Sequence, residues 1–265
     1  MPNDGVSSND KVSRVERERG AYDGELRVQR ANYARCLEHL RGCLSFRAMR
    51  KRQRNFFAGA EGKIILELGS SFWAEVLDLE RVHPARCICI NISQNELNCG
   101  LRKAEEKGVA DRIDFRLMDA HHLELPDESV DLVYGAGILH HLNFEEAIAE
   151  IRRVLKPSGR CMFSEGLRLN PVAMLVRYLT PHARTPDECP LGLRELRIVR
   201  RYFRTRNHYY QLFAVPACII SKHVFRNPVN PLTVLADGLD AAINMCLPPL
   251  RPFFRIVLLS LEKMP

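Results

Sequence analysis

From Lys63 to Ser164 the chain alternates short apolar runs with helical stretches, and this rhythm restricts the fold more than any other feature of the sequence. Ile64–Leu68, Arg86–Ile92, Ile113–Met118, Val130–Gly135 and Arg160–Ser164 read as strands. A stretch through Leu79, then Gln94–Lys107 and Asn143–Leu155, read as the intervening helices. Gly108 stops the second, and Ile148, Ile151 and Leu155 share one side of the third. Pro157-Ser158-Gly159 marks a turn before the fifth strand. Strands joined by helices need right-handed crossovers, which predicts an α/β class, Rossmann-like, doubly wound and mostly parallel sheet. The later runs His208–Val215 and Arg255–Glu262 bring the expected strands to seven.

Around this core the expected organisation is a disordered tail over 1–12, a basic helical extension over 13–60 and a helical lid over 167–206. Residues 207–265 then complete the sheet with strands and the helix Leu232–Met245. Tyr33, Leu37, Leu40 and Leu44 recur at helical steps in the extension, and Pro171–Leu179 and Leu191–Phe203 supply the lid. The net charge of +7 divides into +6 over 1–60, −6 over 61–163 and +7 over 164–265. An acidic core between basic flanks points to an anionic partner, either a phosphorylated substrate or a lipid surface touched peripherally. The plainer alternative is a set of solvated basic helices. Nine scattered cysteines without paired zinc spacing fit core thiols in a reducing, cytoplasmic compartment, and no metal site is expected. The polar start lacks a secretory core, and no run of eighteen apolar residues is present to span a membrane.

In an open parallel sheet, ligands bind beyond the carboxyl ends of the strands, where strand order reverses. The first strand ends in Glu67-Leu68-Gly69, the second in Asn91-Ile92-Ser93 and the third in Asp119-Ala120. The fourth ends in Tyr134-Gly135-Ala136-Gly137 and the fifth in Ser164-Glu165-Gly166. A polar group at every strand end is what a bound nucleoside needs. The first turn, LELGSSFWAE, carries one glycine where a nucleotide loop usually has three, with Ser71 and Trp73 in the other places. Trp73 either covers a ligand there or packs beneath the following helix.

Residues 60–166 resemble the class I S-adenosylmethionine-dependent methyltransferases through four motifs in order: IILELGS, CICINIS, RLMDAHHLELPDESVDLVYGAGILHHL and IRRVLKPSGRCMFSE. The resemblance implies S-adenosyl-L-methionine as cofactor. It gives the methionine end to Glu67 and Gly69, the ribose to Asn91 and the adenine amino group to Asp119. Ser71, Ile92, Ala120 and Gly135 fall in the same walls. The family usually places an acidic residue where this chain has Asn91; the amide still offers two-way hydrogen bonding, without charge assistance.

Methyl transfer asks mainly for alignment and exclusion of water, with a base only where the acceptor loses a proton. The base candidates are Glu165, His140 and His141, with His141 open to a capping role instead. Tyr134 either faces the sulfonium through its ring or belongs to the core. His121 and His122 read as surface loop residues. The segment from Ser164 to Phe203 resembles bacterial small-molecule methyltransferases that include prenyl-diphosphate C-methyltransferases. That resemblance implies Glu165 as base and Arg184, Arg200 and Arg201 on the anion; Tyr178, Tyr202, Phe203, Tyr209 and Tyr210 are the aromatics open to a carbocation, the alternative being a helical lid of core aromatics and solvated arginines. It also implies Mg2+ if the substrate is a diphosphate. Lipid, sugar or polyketide O-methylation and a non-catalytic binding protein are the alternatives. The expected partner is a small molecule rather than nucleic acid, since no Asn-Pro-Pro-Tyr motif or RNA-binding module is present. A homo-oligomer is open, because the N-terminal helix can exchange between protomers.

Overall fold

The computed structural model of the protein describes residues 8–23, 38–70, 72–181, 185 and 188–264. Its elements run α1 (Ser8–Asp23), α2 (Glu38–Gly42), α3 (Leu44–Phe56), β1 (Ile64–Leu68), α4 (Trp73–Val76), β2 (Arg86–Asn91) and α5 (Gln94–Glu106). They continue with β3 (Ile113–Leu117), β4 (Val130–Ala136), α6 (Phe144–Val154), β5 (Leu155–Gly166), α7 (Pro171–Leu179) and α8 (Leu193–Tyr202). β6 (Phe203–Tyr210), α9 (Ala214–Val224), α10 (Pro231–Cys246) and β7 (Ile256–Lys263) close the chain.

The seven strands form one sheet in the order β3-β2-β1-β4-β5-β7-β6. β1 to β5 pair in parallel, and β7 alone runs against its neighbours on both sides. Strand order reverses between β1 and β4, which puts the ligand edge at Leu68, Asn91 and Ala136. Alternation along the strands fills two cores. Leu66, Leu68, Ile88, Ile90, Val133 and Phe163 pack with Ile148 and Ile151 of α6 and Leu196 and Val199 of α8. On the other face Ile65, Cys87, Cys89, Leu132 and Met162 pack with Met49 and Phe56 of α3 and with Trp73.

Several sequence expectations change. The helix expected through Leu79 ends at Val76, because Leu77 turns extended (φ −103°, ψ 112°). β5 begins at Leu155 and absorbs the Pro157–Gly159 turn. β6 ends at Tyr210, and of the residues expected to extend it Ala214 and Val215 open the helix α9 instead. α1 reaches back to Ser8, into the stretch expected to be a tail. α8 is not lid: Leu196 and Val199 are buried against α6 in the layer that covers the sheet. Tyr33 and Leu37 of the basic extension lie outside the described residues. The eight described cysteines are all free thiols. No helix among the described residues is long and apolar enough to cross a membrane.

Candidate active site

The turn after β1 is built on Glu67. This carboxylate is fully buried, and its Oε1 accepts from the N–H groups of Phe72 (2.7 Å) and Trp73 (3.1 Å). Its Oε2 accepts from the Cys89 thiol and the Tyr134 hydroxyl, both at 3.1 Å. Burial pushes Glu67 up to about 7, against the opposing pull of those hydrogen bonds. Glu67 therefore fastens the turn as well as walling the pocket. Gly69 holds φ at +96°, which only glycine adopts without strain, and its N–H donates to Ile90 O at 2.9 Å. The closest packing against the turn falls elsewhere. A Cβ on Gly100 of α5 would lie 2.0 Å from the Ser70 carbonyl oxygen, so this glycine lets the helix press on the loop.

Two cavities open at the ligand edge. The first, of about 240 Å³, is lined by Glu67, Gly69, Asn91, Ile92, Asp119 and Ala120. Asn91 Nδ2 donates to Ser70 Oγ (3.2 Å) and its Oδ1 accepts from Ser93 N (3.0 Å). One amide N–H and one lone pair remain for ribose hydroxyls. Asp119 Oδ1 accepts from the backbone of His121 (2.9 Å) and from its Nδ1 (2.6 Å). Burial raises the Asp119 carboxyl, but the His121 hydrogen bonds and the Arg19 guanidinium outweigh it and hold the group below the usual carboxylate range. His121 Nε2 accepts from Asn143 N at 2.7 Å, which fixes the proton on Nδ1. His121 is thus a positioning residue, not a surface one. An amide at the second strand end, a carboxylate at the third and a glycine turn at the first match the donors and acceptors of an adenosyl cofactor, so the residues present fit it.

Arg14, Val15, Glu18 and Tyr22 of α1 complete this cavity. Arg19 Nε donates to Ile92 O at 2.9 Å, and His141 Nδ1 lies 3.0 Å from Glu18 Oε2 with its Nε2 3.2 Å from the Tyr22 hydroxyl. His141 therefore ties α1 to the core. Only tertiary structure brings these residues together, 73 positions apart for Arg19 and Ile92 and 119 for Tyr22 and His141.

The second cavity, of about 400 Å³, has a size usual for ligand sites. Phe46, Met49, Phe72, Leu167 and Ile256 give it apolar walls, and Arg41, Arg50, Arg177 and Arg255 reach it from four separate segments. Arg50 lies over the rings of Phe46 (5.0 Å) and Phe72 (4.8 Å) and pairs with Glu75. Burial, with Arg41 and Arg54 nearby, lowers Arg50 to about 10. Arg177 pairs with Glu188 at 2.6 Å. On the wall between the cavities, Glu165 Oε1 accepts from the N–H groups of Ile138 (3.0 Å) and Leu139 (2.9 Å). Glu165 Oε2 lies 2.6 Å from His140 Nδ1, leaving Nε2 of the same ring 3.6 Å from Glu188, too far for a hydrogen bond. An ionised carboxylate at that oxygen requires the proton on Nδ1 and leaves Nε2 basic.

The structure thus gathers Glu67, Gly69, Asn91, Ile92, Asp119 and Ala120 around one cavity and sets Glu165 beside the other. It does not bring the remaining predicted residues to them as expected. Tyr134 is core: its ring meets Phe57 edge-on at 4.8 Å and its hydroxyl holds Glu67. Trp73 is buried under the turn rather than over the ligand. Gly135 lies in β4, where a Cβ would meet Ile138 at 2.8 Å, and supports the wall from behind. His141 faces α1 and the first cavity rather than the second. Tyr178 points to solvent, 82% exposed. Arg200, Arg201 and Tyr202 end α8 just before Phe203, whose register partner Lys263 lies at the opposite edge of the sheet, so they are remote from the cavities. Ser71 and Arg184 lie outside the described residues.

A family model described as a methyltransferase domain matches residues 66–163. Methyltransferase GfsG of Streptomyces halstedii is 29% identical over 105 residues, 39% of this chain and 38% of that protein. The demethylmenaquinone methyltransferase of Lactiplantibacillus plantarum is 34% identical over 98 residues, 37% of this chain and 41% of that protein. The chain spans about two fifths of the length of these curated relatives. Geranyl diphosphate C-methyltransferase from Streptomyces coelicolor, solved with Mg2+, geranyl diphosphate and S-adenosyl-L-homocysteine, superposes with a TM-score of 0.55 at 16% identity, covering 83% of this chain and 81% of that one. Residues 66–163 match a methyltransferase domain, and the seven-stranded sheet around them has the fold of that solved methyltransferase.

Proposed function

We propose that the protein transfers a methyl group from S-adenosylmethionine to a small, apolar-bodied acceptor. The observation that carries this reading is the shared wall. Phe72, Ala136 and Gly137 line both cavities, so a donor in one and an acceptor in the other face each other across the turns that follow β1 and β4. S-adenosylmethionine supplies an already activated methyl group, and the protein's part is alignment, exclusion of water and handling of a proton. Asn91, Asp119 and the Gly69 turn hold the cofactor. Phe46, Met49 and Phe72 hold the apolar body of the acceptor. The base is His140, whose Nε2 takes the proton, while Glu165 fixes the ring through Nδ1 and stabilises the imidazolium. Glu165 has both oxygens occupied and acts through His140 as a positioning residue.

The sharpest form of the proposal is C-methylation of a prenyl diphosphate. Arginines that converge on an apolar cavity support it, since guanidinium groups bind phosphate oxygens in pairs. Mg2+ enters only with such a diphosphate. O-methylation of a lipid or polyketide needs the same His140–Glu165 pair, to take a hydroxyl proton. Labelled S-adenosylmethionine incubated with geranyl and farnesyl diphosphates, phenols and glycolipids decides between them. Carbon-bound label in a diphosphate product is expected, with His140→Ala losing on the order of 100-fold or more in kcat. Label found only on oxygen refutes the diphosphate form. Absence of S-adenosylhomocysteine binding in calorimetry refutes the cofactor itself.

A further inference from the structure

α7 and α10 are amphipathic the wrong way round. In α7 the exposed positions Pro171, Met174, Leu175 and Tyr178 follow the i, i+3, i+4, i+7 spacing that normally marks the face turned to the core. In α10 Val234, Leu235, Leu239 and Met245 form a second outward apolar stripe, while its two charges point inward. Asp240 accepts from the N–H groups of Leu212, Phe213 and Ala214, and Asp237 accepts from Ser45 N. α9 touches both helices and adds Ile220 and Val224 to the same exterior. No other acidic residue occurs in 169–180 or 212–255. Lys222, His223 and Arg226 stand exposed at the end of α9.

We infer that this surface docks the protein on an anionic lipid bilayer. The charge pattern selects that occupant. An apolar plane with cations at its margin and no outward carboxylate on α7, α9 or α10 complements anionic headgroups over acyl chains. A second copy meeting the same patch about a twofold axis would bring cation-bearing, acid-free faces together with no carboxylate to pair with them. The position is also functional. α7 presents its apolar stripe outward and lines the 400 Å³ cavity with Ala173 and Arg177, so a lipophilic acceptor passes from the bilayer to the cavity along one helix. That last step rests on the proposed methyl transfer; the docking does not.

The test is co-sedimentation of the full chain with phosphatidylcholine vesicles, with and without phosphatidylglycerol. Binding is expected only with phosphatidylglycerol. It should weaken at least about ten-fold for Leu235→Glu/Leu239→Glu and should fall with added salt. Lys222→Glu/Arg226→Glu, which leaves the apolar stripes intact, should remove the preference for phosphatidylglycerol and keeps the test decisive if the first variant fails to fold. Absence of binding to anionic vesicles, or binding indifferent to both variants, overturns the proposal. So does light scattering that shows a dimer split by the leucine substitutions, which assigns the face to a second copy. S-adenosylhomocysteine calorimetry on the same samples separates the two readings. Cofactor binding without vesicle binding sinks the docking alone, and vesicle binding without cofactor binding sinks methyl transfer alone.

Discussion

At the residue scale, Glu67 shows how one buried carboxylate couples folding to a ligand site. Its oxygens receive four hydrogens, from Phe72, Trp73, Cys89 and Tyr134, yet burial raises it from 4.5 to about 7. Between those values the native state keeps a proton that the unfolded chain has lost. Stability should therefore fall as pH rises through that window and level off above it, by up to about 3 kcal/mol. Urea titrations at a series of pH values should show this slope, and Glu67→Gln should flatten it. His121 makes a second residue-scale case, because it aims Asp119 and is itself aimed by Asn143. His121→Ala should weaken S-adenosylhomocysteine binding about ten-fold, near 1.4 kcal/mol, without moving the unfolding midpoint by a comparable amount. Calorimetry beside a thermal melt checks it. Asp119, Asn91 and Gly69 were legible as strand-end residues because alternating elements fix where strands stop. The role of His121 was not, nor was the pairing of the base candidate His140 with Glu165, because each depends on a partner more than twenty positions away in sequence.

At the scale of elements, the glycine-poor turn makes sense only with α5 beside it. The turn keeps Gly69 for its positive φ, while the close-packing glycine, Gly100, sits on the helix that presses against it. Gly100→Ala should destabilise the fold by about 1–2 kcal/mol, since the overlap with Ser70 outweighs the better helix propensity of alanine. Gly20→Ala in α1 should do the reverse. Nothing lies within 4 Å of its Cβ, and the helix gains up to about 1 kcal/mol. Denaturant midpoints of the two variants should move in opposite directions. α1 itself was expected as a charged extension, and its place over the first cavity follows from Glu18, Arg19 and Tyr22 meeting His141 and Ile92. α8 was expected to belong to a lid, but Leu196 and Val199 on one face bury it against α6.

At the scale of the whole molecule, the two kinds of apolar surface should answer mutation differently. Leu258 is fully buried in β7, the antiparallel strand between β5 and β6, and Leu258→Ala should cost about 2–5 kcal/mol. Leu235 on α10 is 63% exposed, and Leu235→Ala should stay within about 0.5 kcal/mol of the parent in urea unfolding. A cost for Leu235→Ala close to that of Leu258→Ala would mean that the outward stripe is core. By itself the sequence determined the alternation of strands and helices, the parallel sheet it forces, and the polar groups at the strand ends, because these follow from local periodicity and chain connectivity. Only the tertiary structure decided which helices cover the sheet, which histidine meets Glu165, and that α7 and α10 turn their apolar faces outward. Those outcomes depend on contacts between segments far apart in the chain, where burial on one side of a helix is set by its neighbours rather than by its own pattern.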